Sequence, residues 1–209
     1  MLTARFITLE GSEGAGKTTA LDVIKQTLDT WQVPYVVTRE PGGEENAEAI
    51  RRLLLHSEHL ESKTELLLMF AARNEHLEKI IRPALAKGSW VVSDRFVDAS
   101  FAYQGLGRGI AWSTIEYFEA LVVAETRPDL TLYLDVDPEI GLSRAADRSE
   151  KDRIEKENLA FFKNIRSGYL KRFEHEPQRI KKIDANRDIV AVAQEVIHVL
   201  EQAKQGLLK

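Results

Sequence analysis

A glycine-rich motif near the start of the chain has the residue types that bind nucleotide phosphates. The pattern G-x-x-x-x-G-K-[ST] is met by Gly11, Ser12, Glu13, Gly14, Ala15, Gly16, Lys17 and Thr18. Its glycines let the backbone curl so that successive N–H groups point at phosphate oxygens, and Lys17 adds a positive charge. Thr18 offers a hydroxyl to Mg²⁺, and a helix beginning here would point the positive end of its dipole at the same phosphates. A chance glycine-rich turn is the alternative, but the apolar run at 6–9 favours a phosphate-binding loop.

Two further segments end in groups suited to a metal ion or an anion. Asp94 follows the apolar run 90–93 and could hold Mg²⁺ directly or through water, whereas capping of the next helix is the alternative. Arg95 favours the metal site, because a guanidinium beside a metal ion often binds a second anion. Arg39, near Pro41 and two glycines, could bind a phosphate through two parallel hydrogen bonds, or the segment could be a plain turn.

Three other segments could recognise a base or neutralise charge. Phe70 and Arg73 share a helix face, so a planar base could stack on the ring while the arginine binds its carbonyl edge; core packing is the alternative. Gln104 can both donate and accept hydrogen bonds, as the imide edge of a pyrimidine requires. A charged segment at about 141–155 is either a solvated surface or a mobile lid that neutralises a transferred phosphoryl group. Its arginines are Arg144, Arg148 and Arg153.

Apolar runs and helical periodicity alternate along the chain, and this alternation predicts how these groups are positioned. Strands are predicted at 6–9, 35–38, 90–93, 131–136 and 180–184. Helices are predicted at 18–30, 45–55, 63–86, 113–125, 138–146, 154–173 and 188–203. We expect an α/β fold with a five-stranded parallel sheet and helices on both faces, and a cleft at the carboxyl ends of the strands.

The composition indicates one globular domain spanning residues 1–209. Hydrophobic residues make up 44% of the 209 residues and charged residues 30%, without a linker-like stretch. The net charge of −4 offers no basic excess, so we expect no nucleic-acid partner. The absence of cysteine excludes disulfides and thiol catalysis and suits a reducing compartment. Without a signal peptide or an apolar run near 18 residues, we expect a cytoplasmic protein with no membrane partner.

Together these motifs resemble those of the thymidylate kinase family, whose members phosphorylate dTMP to dTDP with ATP. The resemblance covers nearly the whole chain. It rests on EGSEGAGKTT at 10–19, TREPGG at 38–43, AAR at 71–73, DR at 94–95, AYQG at 102–105, RPDLT at 127–131 and DRIE at 152–155. It implies the three-layer fold of the P-loop NTPases, ATP and dTMP as substrates in dTTP synthesis, Mg²⁺ as cofactor and a homodimer.

The resemblance also implies roles for individual residues. ATP would bind to Gly11, Ser12, Glu13, Gly14, Ala15, Gly16, Lys17, Thr18, Thr19, Arg144 and Arg148, with Mg²⁺ on Thr18 and Asp94. The catalytic set would be Lys17, Arg95, Arg148, Asp94 and Glu13. The residues implied to bind dTMP are Glu13, Arg39, Pro41, Met69, Phe70, Arg73, Arg95, Ser100, Tyr103 and Gln104. Among these, Glu13 would contact the 3′-hydroxyl and Tyr103 the sugar, Arg39 and Arg95 the phosphate, and Arg73, Ser100 and Gln104 the thymine.

Two positions distinguish this chain within the family. The loop at 11–16 contains no arginine while Arg148 lies in the lid, as in the bacterial type, so Arg148 is assigned the charge-neutralising role, with Arg144 and Arg153 as helpers. The stacking phenylalanine of the family usually lies four residues before the arginine, where this chain has Met69. Either Phe70 stacks on the base, or Met69 covers it.

Other functions and the adenine contacts stay open. A kinase for another nucleoside monophosphate would carry similar motifs, and an acceptor panel would distinguish it. A GTPase-like switch would need an N-K-x-D element late in the chain, which residues 184–188 do not supply. Asn186 and Arg187, in that segment, are candidates for contacting adenine.

Overall fold

The structure is a computed structural model that describes residues 5–146 and 152–206. Within these residues five strands form one sheet in the order β2-β3-β1-β4-β5, and every neighbouring pair is parallel. The strands are β1 Phe6–Glu10, β2 Tyr35–Arg39, β3 Trp90–Asp94, β4 Leu130–Asp135 and β5 Ile180–Asp184. The predicted five-stranded parallel sheet is therefore confirmed, with strand ends displaced by no more than one residue.

The connections between the strands are helical. The helices are α1 Lys17–Thr30, α2 Glu45–His56, α3 Ser62–His76, α4 Arg82–Ala86, α5 Val97–Ser100, α6 Trp112–Phe118, α7 Pro138–Ala145, α8 Leu159–His175 and α9 Ile189–Gly206. Three π-helical segments, at Leu77–Ile81, Phe101–Gly107 and Glu119–Val123, continue α3, α5 and α6. In the described part of the chain, no helix combines the length and the apolar character needed to cross a membrane.

Alternate residues of the strands face two separate cores, as the pleat of a sheet requires. Ile7 and Leu9 of β1 pack in the core that α1 and α9 cover. Phe6, which precedes Ile7, points to the opposite face and packs with side chains of α3, α6 and the segments after them. The sheet is therefore covered on both sides, as the three-layer arrangement predicts.

The structure differs from the predicted helices at two places that matter for the site. No helix was predicted at 97–107, yet α5 and the π-helical segment after it lie there, and Gly168 of α8 packs so closely that an added Cβ would lie 2.7 Å from the Cα atom of Ala102. The helix predicted at 154–173 begins only at Leu159, because the Asn158 side chain accepts a hydrogen bond from Phe161 N and ends the preceding turns.

Candidate functional site

The loop between β1 and α1 has the backbone geometry that its glycines predict. Gly11, Gly14 and Gly16 all have positive φ angles, of 149°, 70° and 87°. A Cβ atom on Gly14 would lie 1.9 Å from the carbonyl oxygen of Gly141 in α7, so the loop is packed directly against that helix. A Cβ atom on Gly16 would meet nothing within 4 Å, which leaves that part of the backbone open to a ligand.

Lys17, the first residue of α1, turns its ammonium group back onto this loop. Its Nζ atom donates hydrogen bonds to the carbonyl oxygens of Gly11 (3.0 Å) and Ser12 (3.1 Å). Burial lowers the pKa of Lys17 to about 8, and the nearby Arg95 guanidinium lowers it as well. The phosphate loop therefore contains a cation whose charge responds to pH around 8.

Asp94 and Arg95 lie beside the loop because β3 pairs with β1, Asp94 standing opposite Leu9. The Oδ1 atom of Asp94 is buried and has no hydrogen-bond partner among the described residues. Thr18 is exposed at the first turn of α1. An unpaired buried carboxylate oxygen near a phosphate loop has the chemistry of a divalent-cation ligand.

The Arg95 backbone is held in a left-handed conformation, with a φ angle of 68°. Its N–H donates to the Leu9 carbonyl (2.9 Å), and its own carbonyl accepts from Ser93 Oγ (2.7 Å). The next N–H, of Phe96, donates to the Glu10 carboxyl group (2.8 Å), and burial raises the pKa of Glu10 to about 8. These contacts hold a conformation that is costly for a residue with a side chain, and so they set where the guanidinium points.

The guanidinium of Arg95 meets two other predicted site residues. Its Nη2 atom donates to Glu13 Oε1 (2.8 Å) and to the Tyr103 hydroxyl (2.9 Å). That hydroxyl donates to the Glu13 carboxylate at 3.0 and 3.1 Å. Burial raises the pKa of Tyr103, so the phenol stays protonated and able to donate. Residues from the loop after β1, the turn after β3 and the segment after α5 thus converge at one point.

This point opens into a cavity of about 80 Å³, here called the Gln104 cavity. Among the predicted dTMP-binding residues, those that line it are Glu13, Pro41, Met69, Arg95, Tyr103 and Gln104. The volume is smaller than the roughly 300–1,000 Å³ of typical ligand pockets. One reason is that the Arg153 N–H donates to the Leu55 carbonyl (3.1 Å), which holds the wall at 152–154 against α2.

Four predicted binding residues do not line this cavity. Arg73 is fully buried and donates to Glu40 Oε2 (2.8 Å), Ser100 Oγ (3.0 Å) and the Phe96 carbonyl (3.0 Å). Ser100 is buried in the same network. The Phe70 ring is buried against that of Phe118, with ring centroids 5.4 Å apart. Of the two residues that could cover a base, Met69 is therefore the one on the cavity wall.

Arg39 is the fourth of these residues. Its side chain is 54% exposed, and its Nη2 atom donates to Glu48 Oε1 at 2.9 Å. It lies at the end of β2, where it was expected, but its guanidinium is paired with α2. Its role in binding a phosphate stays a prediction.

Sequence reasoning missed a buried carboxylate in the cavity wall. Glu65 is 1% exposed and contacts Gln104, Arg108 and Arg153. Its spacing was a usable signal, because Glu65, Met69 and Arg73 follow one another at intervals of four residues and so share one face of α3. Arg153, predicted to help at the transferred phosphoryl group, lies in this wall instead and donates to the Leu54 carbonyl (3.0 Å).

A second cavity, here called the P-loop cavity, lies on the other side of the loop. It measures about 250 Å³, and Gly14, Gly16, Thr19, Arg144 and Arg187 are among its lining residues. Arg144 reaches from α7 to donate to the Ala185 carbonyl (2.7 Å), which holds α7 against the segment after β5. Arg148 lies outside the described residues.

Comparisons with known proteins agree with this geometry. The thymidylate kinase family model matches residues 9–196. The chain is 48% identical to a thymidylate kinase of Alcanivorax borkumensis over 96% of this chain and 98% of the relative. It is 49% identical to one of Methylobacillus flagellatus over 97% of this chain and all of the relative. The crystal structure of thymidylate kinase from Ehrlichia chaffeensis superimposes with a TM-score of 0.77 at 36% identity, covering 95% of this chain and 98% of that one.

The chain belongs to the thymidylate kinase family. It is an ATP-dependent kinase that phosphorylates dTMP to dTDP in nucleotide biosynthesis. The resemblance stated from its motifs is thereby confirmed.

Proposed function

We propose that the γ-phosphoryl group passes in line from ATP in the P-loop cavity to the phosphate of dTMP in the Gln104 cavity. The observation that carries this proposal is that Glu13 belongs to the phosphate loop and also lines the Gln104 cavity. Arg95 spans the same boundary, 3.5 Å from the Gly11 carbonyl and 2.8 Å from Glu13. An acceptor phosphate oxygen is already anionic, so positioning and charge neutralisation can supply the catalysis without a strong general base.

On the donor side, the backbone N–H groups of residues 11–19 and Lys17 would hold the phosphates of ATP. Arg144, on the wall of the P-loop cavity, is available to a bound nucleotide once it leaves the Ala185 carbonyl. Arg187 lines the same cavity and is the better placed of the two candidates for contacting adenine. Neutralisation of the transferred group by Arg148 stays part of the proposal on the ground of its sequence motif.

The residues present fit a divalent cation. The buried, unpaired Oδ1 atom of Asp94 and the exposed hydroxyl of Thr18 would hold Mg²⁺ together with phosphate oxygens. When bound, Mg²⁺ would neutralise charge on the β- and γ-phosphate oxygens.

On the acceptor side, Arg95 would bind the dTMP phosphate, and Glu13 and Tyr103 would contact the sugar. Met69 and Gln104 would face the base. The cavity must widen to admit a nucleotide, and the hydrogen bond from Arg153 N–H to the Leu55 carbonyl is one of the contacts that would break. Arg39 would have to leave Glu48 to reach the phosphate, and Arg73 and Ser100 would need a rearrangement of their buried network to contact thymine directly.

Release of ADP, measured with ATP, Mg²⁺ and dTMP each omitted in turn, tests the proposal. We expect activity only with all three, and a loss of about 10² or more in kcat/KM for dTMP in Arg95→Ala, because a preorganised cation at the reacting phosphate is removed. The exposed Arg52→Ala variant on α2 is the matched control and should retain wild-type values. An unchanged kcat/KM in Arg95→Ala would contradict the acceptor site.

Three features of the whole chain belong to the same proposal. We infer a single domain of 209 residues located in the cytoplasm, as the composition predicts. We also infer a homodimer. Large apolar side chains are 47–67% exposed on α2, α3, α6 and the π-helical segment after α6, namely Leu53, Leu67, Tyr117 and Leu121. A second copy of the chain could cover them across a two-fold axis.

A further inference from the structure

Glu65 is a buried carboxylate in the wall of the Gln104 cavity, where α3 meets two other segments of the chain. Its Oε1 atom accepts from Gln104 Nε2 at 2.8 Å. Its Oε2 atom accepts from Arg153 Nη2 at 2.7 Å and from Arg108 Nε at 3.2 Å. Two guanidinium groups thus compensate the charge of Glu65, and its lone pairs are directed at donors only.

This arrangement determines which way the Gln104 amide faces. An ionised carboxylate can only accept hydrogen bonds, so Gln104 must turn its NH₂ group towards Glu65. Its carbonyl oxygen Oε1 is then left buried, without a hydrogen-bond partner among the described residues, in a side chain that lines the cavity and is 3% exposed. The cavity wall therefore presents an unpaired acceptor, which is costly unless a ligand supplies a donor.

We propose that Glu65 is a positioning residue for base specificity, which it exerts by holding Gln104 as a hydrogen-bond acceptor. This inference rests on the proposed function, in which the base of dTMP lies against Gln104. The imide of thymine carries an N3–H donor, which an acceptor in the wall can receive. Cytosine has an unprotonated acceptor at the same ring position, so it would face the Gln104 carbonyl with a second acceptor.

The Glu65→Gln variant isolates this role, because it keeps the size of the side chain. A glutamine at position 65 can offer Gln104 either a donor or an acceptor, so the Gln104 amide is free to turn over and present NH₂ to the cavity. A wall that can present either group no longer rejects cytosine. We therefore expect the ratio of kcat/KM for dTMP to that for dCMP to fall by about tenfold or more.

The experiment measures kcat/KM for dTMP, dUMP and dCMP on one preparation of each variant. The ratio of the kcat/KM values for two nucleotides does not depend on the fraction of enzyme that is folded, so partial destabilisation does not affect it. Because uracil has the same imide edge as thymine, the dTMP:dUMP ratio should stay within about twofold of wild type. An unchanged dTMP:dCMP ratio in Glu65→Gln would overturn the inference.

Two further variants show whether the effect passes through Gln104. Gln104→Leu removes the acceptor and should lower the dTMP:dCMP ratio by itself, while adding Glu65→Gln to it should produce no further change. Glu119→Gln, which replaces another buried carboxylate, 3.6 Å from Arg172 and absent from the cavity lining, should leave the ratio unchanged.

The outcomes remain distinguishable if Glu65→Gln does not fold. An unchanged dTMP:dCMP ratio in Gln104→Leu would then overturn the inference by itself. If wild-type enzyme fails to phosphorylate dTMP, the proposed function has failed. If it does so and only the ratios are insensitive to both substitutions, the phosphoryl transfer stands and the roles of Glu65 and Gln104 in base specificity are rejected.

Discussion

At the scale of single residues, Lys17 places a positive charge within the phosphate loop. Two carbonyl oxygens of the phosphate loop accept its hydrogen bonds, and they occupy the ammonium group that would otherwise bind phosphate. Burial and the Arg95 guanidinium bring the pKa of Lys17 down to about 8. Phosphate groups placed on the loop would add negative charge nearby and raise this pKa again, so nucleotide binding and protonation of Lys17 are coupled.

We therefore predict that ATP affinity falls as pH rises through about 8. Below this value Lys17 is already charged, whereas above it binding must take up a proton, so the loss approaches about tenfold for each pH unit. Titration calorimetry in two buffers of different ionisation heat measures both the affinity and the proton uptake. In Lys17→Met the affinity should be lower and its pH dependence between 7.5 and 9.5 lost; a wild-type affinity that stays flat over this range contradicts the prediction.

At the scale of secondary-structure elements, the phosphate loop and α7 are in direct contact. Gly14 and Gly141 approach so closely that neither position has room for a Cβ atom, since each would lie within 2.5 Å of a carbonyl oxygen of the other segment. Helix α7 is thus connected, through a backbone contact, to the loop that would bind ATP. This packing predicts different costs for the glycines of one loop.

Gly14→Ala should destabilise the fold more than Gly16→Ala. Both positions have positive φ, which costs a residue with a side chain roughly 1–2 kcal/mol. The Cβ atom of Gly14→Ala also clashes with α7, adding about 1–3 kcal/mol, whereas that of Gly16→Ala meets open space. Urea unfolding of both variants provides the measurement, and equal losses of unfolding free energy would refute a tight contact between the loop and α7.

At the scale of the whole molecule, several of the exposed apolar side chains lie on elements that pack together. Helix α2 packs on α3, and α3 contacts the π-helical segment Glu119–Val123. Leu67 lies on α3, the element that contacts both α2, which carries Leu53, and the segment that carries Leu121. If a second copy of the chain covers this surface across a two-fold axis, the dimer closes without leaving an open end.

Leu67→Glu should therefore convert the protein from a dimer to a monomer at micromolar concentration. A charged side chain at the centre of an apolar interface must be desolvated without a partner, which costs several kcal/mol of association free energy. Sedimentation velocity measures the mass, and Ile197→Glu, at an exposed position of α9 on the other side of the sheet, should leave it unchanged. A wild-type monomer, or a Leu67→Glu dimer, would contradict the proposal.

The sequence alone determined the features that depend on neighbouring residues. The strands, the parallel sheet and the phosphate loop follow from local alternation and from closely spaced glycines, and the carboxyl ends of parallel strands must meet at one edge. These rules brought Glu13, Asp94 and Arg95 together correctly. Locally weak signals failed at 97–107, where glycines reduce helical propensity and close packing on α8 supplies the missing stabilisation.

Only the tertiary structure decided which hydrogen bonds and ion pairs form in and behind the cavity wall. Arg73 was predicted to face a base, yet Glu40, 33 residues away in sequence, holds it in a buried network. Glu65 reaches Gln104 across 39 residues and Arg153 across 88. Helical spacing can say that residues share a face of α3, but whether that face meets a ligand or an opposite charge depends on segments packed against it from elsewhere in the chain. Such long-range pairs leave no periodic signal in the sequence, because each partner is placed by the packing of its own element.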